Sequence, residues 1–186
     1  MDGVEFEMPA KTLAASDASA PSGCGGAFGR SVALDATGTR LVVGAPGAKH
    51  GSRVVLGRAY SYRRAVHKHQ TWTVWMDLGL WPLASPCSFA SSRPEFGGSV
   101  VATRHIIVVA APGFGACVFA AAHNVFWLDT STVTPPSVSN VTASGFGAAM
   151  ALSTDDSTWV VGAPAADARS GSVVVYDGAP CWFYFG

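Results

Sequence analysis

The chain has 186 residues, with twelve Lys and Arg balancing twelve Asp and Glu and only 13% of residues charged. A net charge of zero argues against nucleic acid as the main partner, because binding phosphate requires a basic surface. Apolar residues make up 49%, alongside 21 glycines and 11 prolines, and no long segment repeats its apolar residues at helical spacing, so an all-β chain of one domain is expected.

In chain order, Met1-Asp2-Gly3-Val4-Glu5-Phe6-Glu7 is acidic and lacks an apolar core, so no secretory signal is read there. Residues 1–24 read as a lead-in strand and linker. Gly23-Cys24-Gly25-Gly26 is glycine-rich, but it precedes a strand and so offers no helix N-terminus to a phosphate. A phrase then begins that returns twice. It runs Phe28-Gly29-Arg30-Ser31-Val32-Ala33-Leu34, a polar join, then Leu41-Val42-Val43-Gly44-Ala45-Pro46. The second copy is Phe96-Gly97-Gly98-Ser99-Val100-Val101-Ala102, then Ile106-Ile107-Val108-Val109-Ala110-Ala111-Pro112. The third is Phe146-Gly147-Ala148-Ala149-Met150-Ala151-Leu152, then Trp159-Val160-Val161-Gly162-Ala163-Pro164. The copies stand roughly 50 to 70 residues apart, as in a repeat whose outer loops vary in length.

Each copy is two short β-rich runs around a turn, which reads as a hairpin. The second run is apolar on both faces and must be covered on both, as in a sheet stacked between neighbouring sheets. Proline then ends it, having no amide to give the ladder. Gly57-Arg58-Ala59-Tyr60-Ser61-Tyr62 and Gly171-Ser172-Val173-Val174-Val175-Tyr176 read as third strands. In the second copy the expected third strand is Asn124-Val125-Phe126-Trp127-Leu128, without the leading glycine. Thr71-Trp72-Thr73-Val74-Trp75 alternates as a fourth strand. Four antiparallel strands per unit describe a propeller blade. The expected boundaries are blade one at 25–82, blade two at 83–130 and blade three at 131–186.

The pattern resembles the FG-GAP repeat of integrin α-subunit heads and of many bacterial and protist surface proteins. The motif positions are Phe28, Gly29, Gly44, Ala45, Pro46, then Phe96, Gly97, Ala110, Ala111, Pro112, then Phe146, Gly147, Gly162, Ala163, Pro164. Ala110 stands where the family has Gly. The lead-ins Leu13-Ala14-Ala15-Ser16-Asp17 and Leu83-Ala84-Ser85 also resemble the family's. The resemblance implies a partial β-propeller, an extracellular or cell-surface location, and binding of another protein, as in adhesion. Three blades fall short of the roughly four to eight of a closed propeller. The chain is therefore expected to be part of a longer propeller or to self-associate, its outer faces carrying Val32, Val42, Val160 and Val161. Phe185-Gly186 reads equally as the start of a fourth copy and as a coincidence.

Calcium in the family is held by loops with oxygen ligands at alternate positions. The loops here carry Asp35 alone, no carboxylate, and adjacent Asp155-Asp156, so no metal and no cofactor are expected. His67-Lys68-His69 places two imidazoles on one side of a strand but among cations. Together with Arg58, Arg63 and Arg64 it forms a basic patch that suits an anionic partner. The uncharged stretch after His105 is interrupted by Pro112, Gly113 and Gly115, against a membrane span. Cys24, Cys87, Cys117 and Cys181 form no metal-type pair and fit either disulfides or buried thiols. Asn140-Val141-Thr142 fits a glycosylation sequon. No nucleophile or phosphate-loop motif occurs. A non-catalytic binding or scaffolding module is therefore expected. The alternatives are a propeller accompanying a hydrolase whose catalytic domain lies outside this chain, and a structural piece of a larger assembly.

Overall fold

A computed structural model describes residues 12–13, 26–48, 57–64, 72–77, 95–113, 115–122, 125–133, 145–166 and 170–177. Three antiparallel sheets carry the fold. The first is β1 (Ser31–Leu34), β2 (Arg40–Ala45), β3 (Arg58–Arg64) and β4 (Trp72–Asp77), paired in that order. The second is β5 (Ser99–Ala102), β6 (Ile106–Ala111), β7 (Gly115–Ala122) and β8 (Val125–Val133). The third is β9 (Ala149–Leu152), β10 (Thr158–Ala163) and β11 (Ser172–Asp177). Contacts between sheets run through the leading strands, β1 and β2 to β5 and β5 to β9, so the sheets converge along that edge. This is a partial β-propeller.

One expected strand is corrected. The third strand of the second sheet is β7, which starts at Gly115 and returns tightly so that Ala111 faces Gly115. The segment from Val125 is the fourth strand, and it runs to Val133, beyond 130. The leading glycine is therefore present in all three copies: Gly57, Gly115 and Gly171 all have positive φ. No helix among the described residues is long and apolar enough to cross a membrane, and the apolar stretch after His105 is made of strands.

The repeat is exact in its backbone bonding. The second motif residue donates its amide to the same carbonyl in each sheet: Gly29 to Gly44, Gly97 to Ala110 and Gly147 to Gly162, each at 3.0 Å. All three glycines have φ of 86 to 88°, a region costly for any residue with a Cβ. Phe28 and Phe146 pack on their own sheets. Phe146 is buried with Val161, Ala163 and Ala166, and Phe96 is buried as well. Phe28 is only half-buried. It lies edge-on to Tyr60 and Tyr62, with ring centroids at 5.5 and 6.3 Å.

The same motif couples neighbouring sheets. Gly57 bridges Phe96, and the Ser31 hydroxyl donates to the Gly97 carbonyl at 2.8 Å. A Cβ on Gly44 would collide with that carbonyl. One sheet on, the Gly113 amide donates to the Phe146 carbonyl at 2.9 Å. The small residues of one copy are thus the seat for the Phe-Gly of the next.

Strand alternation corrects the expected outer faces. Val42 and Val161 are fully buried, because both point toward the second sheet. The exposed apolar residues are Val32 and Leu34 on β1, and Val173 and Val175 on β11, at 64, 55, 63 and 53%.

Candidate functional site

The three joins between first and second strands form a linked row of turns. Asp35, Thr103 and Ser153 occupy equivalent places, each donating its amide across the turn, to the carbonyls of Arg40, Ile106 and Thr158. Each side-chain oxygen also accepts the amide of that same partner. Asp35 Oδ1 takes Arg40 at 2.9 Å, Thr103 Oγ1 takes Ile106 at 3.0 Å, and Ser153 Oγ takes Thr158 at 2.9 Å. A carboxylate and two hydroxyls therefore do one structural job, satisfying amides the ladder leaves open.

Asp35 is buried and also accepts the Thr39 amide at 2.8 Å and the Thr37 hydroxyl at 2.7 Å. Burial pushes its pKa up. The Thr37 hydroxyl, the Arg40 and Thr39 amides and the Arg40 charge outweigh that effect, and the net pKa falls below the usual carboxylate value. On the third turn, the Ser153 and Ser157 hydroxyls and the Ser157 amide hold Asp155 at about 2.

Two side chains tie the turns together. The Arg40 guanidinium donates to the carbonyls of Thr103 at 3.1 Å and Arg104 at 2.5 Å, joining the first turn to the second. Burial lowers the Arg40 pKa, Asp35 raises it, and cross-strand Arg63 lowers it again. From the second turn, half-exposed His105 places Nδ1 3.8 Å from Asp156 Oδ2 on the third. That is an electrostatic contact, longer than a hydrogen bond. Asp156 is a non-glycine residue at φ 61°, and its other oxygen is buried with no hydrogen-bond partner among the described residues. An imidazole facing a strained, partly unsatisfied carboxylate is the kind of arrangement used in proton transfer, and such contacts often tighten only when substrate binds.

The basic patch is divided. Arg63 and Arg64 end β3 at the turn row, near Arg40, whereas Arg58 is buried at the other end of that strand. His67, Lys68, His69 and Asn140 lie outside the described residues, as do Cys24, Cys87, Cys181 and Phe185-Gly186. Among the described residues no three His, Cys, Asp or Glu side chains gather where they could hold a metal ion. No motif in the sequence marks Arg40, His105 or Asp156 as functional. They stand at different positions of the three turns, so comparing the copies does not single them out.

No protein-family model and no curated protein matches this sequence. Among solved structures, the chain resembles the periplasmic gluconolactonase of Pseudomonas aeruginosa, with a TM-score of 0.51 and 13% identity. The match covers 79% of this chain and 38% of that one, so this chain spans well under half of its length. The likeness shows the fold. It also corrects the expectation of a non-catalytic module, because a protein of this fold is a gluconolactonase, and so the fold gives no ground for excluding an enzyme.

Proposed function

We propose that this chain is the propeller portion of a hydrolase acting on a lactone or ester, with reacting groups completed by residues beyond those described. The structural likeness to a gluconolactonase supports this reading. On the turn row, His105 is the group suited to take a proton from an attacking water, with Asp156 stabilising the resulting imidazolium. The resemblance of the repeats to FG-GAP proteins supports a location at the cell surface or outside the cell. It also supports protein contact by the same loops as a second role.

The test uses the longest natural chain containing these residues, assayed for proton release from gluconolactone and for cleavage of an activated ester. His105→Ala should reduce turnover about 10²- to 10⁴-fold while the far-ultraviolet spectrum stays that of a β protein. Absence of hydrolysis, or hydrolysis indifferent to His105, would overturn the reading.

A further inference from the structure

On the third sheet, no described residue fills the seat that the first two sheets use. A cavity of about 550 Å³ is lined by Ala149, Gly162, Ala163, Pro164, Gly171 and Val173. These match, position for position, Ser31, Gly44, Ala45, Pro46, Gly57 and Ala59 of the first sheet, as the pairings Gly44 to Ala59 and Gly162 to Val173 require. In the first sheet that place holds Phe96-Gly97, and in the second its counterpart holds Phe146-Gly147. Nothing described fills it in the third. A Cβ on Gly162 would meet nothing nearer than Ala149 at 3.6 Å.

The opposite end carries the complementary part. Gly29 has the same φ and the same bond to its own sheet as Gly97 and Gly147, yet a Cβ built on it meets no described residue within 4 Å. Val32 and Leu34 beside it are more than half exposed. Their counterpart Val100 is buried and Ala102 half-buried, and Met150 and Leu152 pack against the second sheet. Leu13 and Phe28 cover the part of this face near Tyr60 and Tyr62 and leave β1 open.

We infer that two copies of this chain join head to tail, the Phe28-Gly29 edge of each entering the seat on the third sheet of the other. Both contacts repeat the one already made twice inside the chain, so the docking geometry is the one the fold already uses. Two such contacts related by a twofold axis close a ring of six sheets, within the range of closed propellers. The inference is independent of any hydrolytic activity, since it is read from mass alone.

The experiment is light scattering coupled to size exclusion, on the 186-residue chain and on variants at exposed positions that keep their β spectrum. The chain should run at twice 19.1 kDa. Leu34→Asp on one end and Val175→Asp on the other should each give monomers. Mixing these two variants should restore a dimer at least tenfold weaker than the parent, because one intact edge still meets one intact seat. A monomeric parent would overturn the inference, showing the seat empty or filled from within. So would a dimer broken by Leu34→Asp alone, which signals like faces pairing, or open chains of growing mass.

Discussion

At the scale of single residues, Asp35 shows how one buried carboxylate supports a turn. Its folded pKa is depressed, so its contribution is present above the unfolded value of about 3.9 and is lost as pH falls through the lower folded value. Asp35→Ala should cost about 1–3 kcal/mol near neutral pH, because the Thr39 and Arg40 amides lose their acceptor. The difference between parent and variant should shrink as pH drops below about 4. Urea midpoints measured across that range would check it, and a constant difference would contradict the assignment. Trp159 and Tyr176 behave differently. Their rings stack at 5.2 Å, yet the indole nitrogen and the phenol oxygen are buried without hydrogen-bond partners among the described residues. Burial accordingly raises the Tyr176 pKa.

At the scale of elements, the glycine of each Phe-Gly serves both its own hairpin and its neighbour's. A Cβ on Gly97 would strike the Arg58 carbonyl and lie 3.0 Å from the Ala45 nitrogen, in addition to the strain of φ +88°. Gly97→Ala should therefore cost roughly 2–5 kcal/mol, summing left-handed strain and overpacking. Gly29→Ala, with no described residue within 4 Å of its Cβ, should cost only the strain of roughly 1–2 kcal/mol within one chain. Thermal denaturation of the two variants at low concentration would test the ordering. Equal losses would mean that the seat on the first sheet is softer than its geometry implies.

At the scale of the whole molecule, the sheets are joined by a few specific side chains as well as by apolar packing. Between the second and third sheets, Met150, Leu152 and Trp159 pack onto the cluster of Val101, Val108 and Val118. Between the first and second, Arg40 reaches across to the second turn. Arg40→Ala should destabilise the chain by about 1.5–3 kcal/mol, the range of a charged hydrogen bond. Amide exchange should quicken in β1, β2 and the 103–105 turn while β10 and β11 stay protected. Uniform quickening across all three sheets would show that the tie is not local.

Much of this was written in local chemistry. Three Phe-Gly pairs, doubly apolar second strands and terminating prolines determine three hairpins, because positive φ, strand alternation and the missing proline amide act within a few residues. The propeller class follows from their repetition. The tight return to Gly115 was hidden, because a short apolar strand in uncharged sequence has no marked boundary. Which valines are covered was not legible either, since a strand's two faces differ only in what lies beyond them. Val42 and Val161 are buried and Val32 is not for that reason alone. The turn row, too, depends on residues far apart in the chain. Arg40 meets carbonyls 63 and 64 positions away, and Ser31 a carbonyl 66 away. The sequence by itself determined the leading hairpin of each copy and its Phe-Gly pair. Only the tertiary structure decided that His105 faces Asp156, and that one end presents an edge while the other holds a seat, because these depend on how separate sheets stack in space.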